Sequence, residues 1–173
     1  MPDPISLNQP PKDALLELIN RDNNASFTHD QLVFGVPEVI TSGSTRNTRV
    51  TVTAAQESGY QGEVDVTYNR LAISDVFADA HPVVVGDEIY DTDVLVLKLN
   101  EAYDLHLTED DYITEAVSGS SHELTISQDS YAWLGSVVVD IVPEEDVIAD
   151  NALTGFDGAV IAGFDGEVIG TFE

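Results

Sequence analysis

The chain has 173 residues, 43% of them hydrophobic, enough to bury one ordinary core or two small ones, so wholesale disorder is not expected. Its 32 Asp and Glu stand against 6 Lys and Arg, a net charge of −26 that repels nucleic-acid phosphates and anionic membranes, so neither is an expected partner. There is no cysteine, which excludes disulfides, thiolate nucleophiles and cysteine-held zinc.

The opening stretch, MPDPISLNQPPKD, carries four prolines in residues 1–12 and neither the basic nor the apolar region of a secretory signal. An extended proline-rich arm is expected there. No run approaches the roughly 18 apolar residues that a membrane span needs. Asp13–Asn20 then reads as a short amphipathic helix, with Asp13 as its N-cap and Leu15, Leu18 and Ile19 on one face. Thr28 and Gln31 stand at capping-box spacing and predict a tight turn. Two strands follow, in which Val50, Val52 and Ala54, then Val64, Val66 and Tyr68, alternate with polar residues. The polar, Gly-containing AQESGYQG between them predicts a hairpin.

The same order recurs 80 residues later. Asp13, Leu15, Asn20, Thr28 and Asp30 fall on the identical Asp93, Leu95, Asn100, Thr108 and Asp110, and the apolar Leu16, Ile19, Phe27 and Val33 on Val96, Leu99, Leu107 and Ile113. Leu124–Ser127 follows as Val50–Thr53 does, and Tyr131–Gly135 precedes Val137–Val142 as Gly59–Gly62 precedes Val64–Tyr68. The expected fold is α+β and mostly β: two duplicated helix–turn–β-hairpin modules, over 13–75 and 93–142, joined by a connector at 76–92. Within that stretch, Val83–Val85 is expected as an edge strand. An acidic linker, 143–151, leads to a short C-terminal β appendage at 152–173.

That appendage beats every eight residues: GFDGAVIA, then GFDGEVIG, then TFE. Asp157-Gly158 and Asp165-Gly166 are favoured two-residue hairpin turns, which makes a β-meander one reading. The other starts from Leu153, Ile161 and Ile169, each followed two positions on by Gly155, Gly163 and Thr171, an octad in which the aliphatic residue faces an axis and glycine permits a sharp turn. In both, Phe156, Phe164 and Phe172 form an aromatic row too large for 22 residues to bury alone. Leu153, Phe156, Ile161, Phe164, Ile169 and Phe172 are therefore the expected assembly interface.

The octad resembles the repeat of the triple-stranded β-helix in the needle of contractile phage tails, which implies a trimer. Ile19-Asn20, Thr51-Val52-Thr53, Gly59-Tyr60-Gln61-Gly62 and Tyr68-Asn69-Arg70-Leu71 together resemble a module of virion structural proteins of tailed bacteriophages, large myoviruses in particular. The second copy matches in its helix and Thr-containing strand but ends Val139-Asp140-Ile141-Val142, without Asn-Arg-Leu. The resemblance spans about residues 13–142. It implies a non-enzymatic component of the virion, a capsid decoration or a tail- or collar-associated subunit, whose partners are other virion proteins and further copies of itself. The alternative expectation is a free-standing carbohydrate- or cation-binding β module from a halophilic or marine source, where an acidic surface also serves.

No residue pattern announces catalysis or a cofactor. Thr108-Glu109-Asp110-Asp111 is acidic but lacks EF-hand spacing, and capping accounts for Thr108 and Asp111. His29, His81, His106 and His122 have no second ligand at helical spacing. Ser118–His122 sets a hydroxyl near an imidazole without a nucleophile elbow and reads as a polar loop. Trp133 and Tyr131 read as core or interface aromatics. No metal, cofactor or catalytic residue is expected.

Overall fold

A computed structural model describes residues 7–78 and 80–144. Its first element is α1 (Pro11–Asn23), which buries Ala14, Leu15 and Ile19. The helix begins two residues before the expected Asp13 cap. Proline at the first helical position has its φ preset and no N–H to satisfy, so Pro10 serves as N-cap without a side-chain bond. Asp13 instead lies in the first turn, where a carboxylate favours the positive end of the helix, and its Oδ1 is 2.6 Å from His29 Nε2.

Strands β1 (Leu32–Phe34) and β2 (Glu38–Val39) both pair antiparallel with one edge of β3 (Thr48–Ala54), and β4 (Glu63–Tyr68) pairs with its other edge. Between β1 and β2 the register slips by one residue, from Phe34↔Val52 to Glu38↔Arg49, a bulge centred on Gly35–Pro37. Gly35 is needed there: a Cβ would stand 3.1 Å from Thr51 O. After β4 come β5 (Leu71–Ala72), the single-turn α2 (Ile73–Val76) and β6 (Val83–Val85).

The second half opens with α3 (Thr92–Tyr103), capped by Asp91, whose side chain accepts from the Val94 amide at 2.9 Å. Then follow β7 (Ser121–Thr125), β8 (Trp133–Leu134) and β9 (Ser136–Val142). β9 pairs antiparallel with β7 and parallel with β6, so β6 is an edge strand, as its sequence predicted. The fold is α+β and mostly β. Among the described residues no helix is long and apolar enough to cross a membrane.

A set of local hydrogen bonds recurs in the two halves. Asn20 and Asn100 each clamp a backbone seven residues on: Nδ2 donates to Phe27 O (2.9 Å) or Leu107 O (2.8 Å), and Oδ1 accepts from the same residue's amide (2.7 and 3.0 Å). Both helices end on a left-handed residue, Asn24 (φ 49°) and Asp104 (φ 56°). The Thr28 and Thr108 amides donate to the side chains of Gln31 and Asp111. The Ala55 amide bonds Gln31 O, and the Ser127 amide bonds Asp111 O, both at 2.9 Å.

These last bonds correct the strand alignment. They superpose Val52 on Leu124, two residues away from the expected match of Val50 with Leu124, because backbone pairing to the preceding turn sets the register where similar side chains do not. On the following strands, Ala54 N to Gly62 O (3.0 Å) and Ile126 N to Gly135 O (2.9 Å) superpose Gly62 on Gly135 and Val64 on Val137. Both glycines have positive φ, 95° and 83°, where other residues are strained.

One contiguous core serves both halves. It joins Leu15, Ile19, Val50 and Tyr68 to Leu95, Leu99, Leu124, Val139 and Trp133. The expected role of Trp133 as a core aromatic agrees with its 1% exposure.

Candidate functional site

The residues singled out as chemical candidates are tied into local structure. Asp111, only 2% exposed, takes the Thr108 amide (2.9 Å) and hydroxyl (2.7 Å) on Oδ2, which closes a turn and leaves little of that carboxylate for a ligand. Each histidine meets one carboxylate in a different part of the molecule: His29 with Asp13, His81 with Asp140 (3.4 Å), His106 with Asp104 (3.0 Å) and His122 with Glu115 (3.3 Å). Among the described residues no three His, Asp or Glu side chains converge as metal ligands. His122 lies in β7, not in the polar loop expected for Ser118–His122, since its amide-bearing segment pairs with β9 at Val139. Leu153, Phe156, Ile161, Phe164, Ile169 and Phe172, with the turns at Asp157 and Asp165, lie outside the described residues.

Two features emerge instead. The first is the seam between the halves. Arg70 is 4% exposed and, among the described residues, has no ion-pair partner; its Nε donates to Thr48 Oγ1 (3.1 Å) and one terminal nitrogen to Gln128 O (2.9 Å) and Ser130 O (2.8 Å). Burial holds its pKa below the ordinary arginine value, with the nearby Tyr68 opposing that shift. Tyr68 itself is pushed up by burial, and its hydroxyl lacks a hydrogen-bond partner. Next to Arg70, the Leu71 amide bonds Ala132 O (2.9 Å) and β5 runs parallel to β8. Tyr131 reaches back to Gly35 O at 3.2 Å.

In the sequence, Tyr68-Asn69-Arg70-Leu71 stands out through its resemblance to a strand end of virion modules. Superposing β4 on β9 places Pro143 at the Arg70 position, so the second half has no such pin. Asn69 bonds Asn47 within the first half, while Arg70 and Leu71 carry the contacts across the seam.

The second feature is a bare hairpin edge. The helix-facing side of β3 and β4 opens into a groove of about 540 Å³, lined by Ile19, Phe27, Val52, Tyr60, Val64 and Val66. Phe27 and Tyr60 meet edge to face at 5.1 Å and form one wall. Val64 is 60% exposed, while its counterpart Val137 is 6% exposed; Val66 is half-buried, while Val139 is fully buried. The second half differs by its covering: α2 packs on β9, and β6 pairs with it. Among the described residues β4 has no strand on its outer edge. An unpaired strand edge beside an apolar groove is a template for an added strand, and burying one valine fully contributes about 1.5–3 kcal/mol. The alternation of Val64, Val66 and Tyr68 was legible in sequence; that one half would be covered and the other not was not.

Comparison with curated proteins and with solved structures finds no match to either. A family model does match, over residues 5–158, which takes in α1 to α3, β1 to β9 and the seam between the halves. The chain therefore belongs to the family of unknown function DUF7941.

Proposed function

We propose that this protein is a non-enzymatic structural component of a tailed-phage virion, a capsid decoration or a tail- or collar-associated subunit that works through contacts between subunits. The observation that carries the reading is the uncovered β4 edge and its groove, set against the covered equivalent in the same chain. A surface that can take a strand, on a body whose Asp111 carboxylate closes a turn and whose described His, Asp and Glu side chains do not converge in threes, suits assembly better than turnover. The resemblance of the Thr-Val-Thr strand, the Gly-Tyr-Gln-Gly turn and the Tyr-Asn-Arg-Leu strand end to virion modules supplies the kind of assembly. The charge of −26 would keep assembled particles apart, and other virion proteins and further copies of the chain would be its partners.

The test is to band particles from a lysate of a host carrying the gene on a density gradient and quantify the chain by mass spectrometry. Co-banding in a fixed ratio to the major capsid protein, retained through a high-salt wash, is the expected result. Recovery only from the soluble fractions at the top of the gradient refutes the reading.

A further inference from the structure

The covering of β9 shows what the bare edge of β4 lacks. The bond from Ala54 N to Gly62 O sets an alternation in which the amides of Val64, Val66 and Tyr68 point to β3 and those of Asp65 and Thr67 point outward. In the second half the counterpart of Thr67 is Asp140, whose amide donates to Pro82 O at 2.9 Å at the start of β6. The parallel ladder continues to the Gly86 amide, which donates to Val142 O at 3.0 Å. One half therefore displays the completed form of the other.

Two segments of the chain are placed to supply the missing strand. Shifted by 80 residues, β6 falls on Asp3–Ile5. The ladder makes Val84 the residue whose N–H faces β9, and Pro4 stands in that place, so this segment lacks the central donor. The second candidate follows β9 as β6 follows β4. Residues 69–82 link β4 to Val83–Val85, and residues 143–158 link β9 to the run Ala159-Val160-Ile161-Ala162, a similar length leading to a similar apolar segment. The next such run, Glu167–Gly170, would bring a carboxylate to an edge that already carries Glu63 and Asp65, so the uncharged run fits better.

The direction of the seam selects which chain receives it. The exit of the first half, Arg70 and β5, meets the β7–β8 loop and β8 of the second. Among the described residues no hydrogen bond joins the exit of β9 back to the Ala55–Gly62 loop; the Glu144 amide goes to Asp87 Oδ1 at 3.0 Å. The contact between halves is head to tail, and repeating it carries the segment after β9 onto the first half of another molecule.

We infer that the Ala159–Ala162 run of one chain adds as a strand to the outer edge of β4 in a second copy and closes the groove over Val64. This rests on the assembly reading above and names its contact. With −26 on each chain, the association strengthens as salt screens the repulsion.

Because the chain has no cysteine, cysteines can be placed at will in the full-length protein. One tagged chain carries Val64→Cys; differently tagged chains carry Val160→Cys or Ile161→Cys, which point to opposite faces of an added strand. Unchanged melting curves establish that each variant is folded. Mild oxidation of the mixture is expected to give a mixed-tag disulfide as the main product for one of the two tail positions, more of it at higher salt. Thr67→Pro, which removes an outward amide that β3 does not use, should suppress it. A further chain carries Val64→Cys together with the tail cysteine; disulfide formation confined to single molecules of that chain would show that the tail closes on its own β4 and overturn the proposal. Absence of either product would remove β4 as the acceptor. The particle gradient stands apart from these outcomes, since a subunit can co-band through other contacts.

Discussion

Replacing Arg70 tests whether the halves are one cooperative body. The guanidinium makes three hydrogen bonds, one to Thr48 Oγ1 in its own half and two across the seam to Gln128 O and Ser130 O, and it does so at 4% exposure with no counter-ion among the described residues. Arg70→Ala removes all three bonds, opens a cavity and leaves the buried Ser130 carbonyl without its partner, while the Gln128 carbonyl, on an exposed residue, can turn to water. Each bond from a charged donor contributes about 1.5–3 kcal/mol, and desolvating the cation offsets part of that sum. A net loss of about 2–4 kcal/mol follows for Arg70→Ala, from the lost bonds and one buried carbonyl left unsatisfied. Arg70→Lys retains the charge but replaces the planar fork by a single ammonium that cannot serve Thr48 and both carbonyls, so about 2 kcal/mol is expected. Trp133, the only tryptophan, is buried in β8 beside the seam and reports unfolding by fluorescence. Urea titration should show the midpoint falling with an unchanged slope. A loss below about 1 kcal/mol for Arg70→Ala, or wild-type stability for Arg70→Lys, would refute the view that hydrogen bonding by this residue joins the halves.

Three further outcomes follow from the repeated geometry and the buried phenols. Asn20→Ala and Asn100→Ala each break a two-bond clamp of matching lengths and should cost similar amounts, about 1–3 kcal/mol by urea titration; a severalfold difference would mean that the two clamps are not equivalent. Gly62→Ala and Gly135→Ala meet no atom within 4 Å, so each should lose only the backbone cost of positive φ, about 1–2 kcal/mol, with no change in unfolding slope. Tyr112 is pushed up to about 12, first by burial and then by its hydrogen bond to Asp93, while the unfolded chain titrates near 10. Its contribution is thus fully present below pH 10 and lost as pH rises towards about 12, and Tyr112→Phe should flatten that alkaline loss in pH-dependent melting.

The sequence by itself determined the local elements. Alternation in Val50–Ala54 and Val64–Tyr68 and the helical spacing of Leu15 and Ile19 are short-range patterns, and burial of one face converts them directly into β3, β4 and α1. Asn20 and Asn100, Thr28 and Thr108 were visible as a repeat because each side chain bonds a backbone only a few residues away. The start of α1 was displaced from Asp13 because Pro10 and Pro11 supply a better entry. The two-residue slip in matching β7 to β3 came from comparing side chains where the register depends on backbone pairing. Tertiary contacts alone set Arg70 across the seam, β6 against β9 and, among the described residues, an outer edge of β4 with no strand on it. Those facts join residues as much as 60 positions apart, as Arg70 is from Ser130, and no periodicity within one segment encodes which distant edge will be covered.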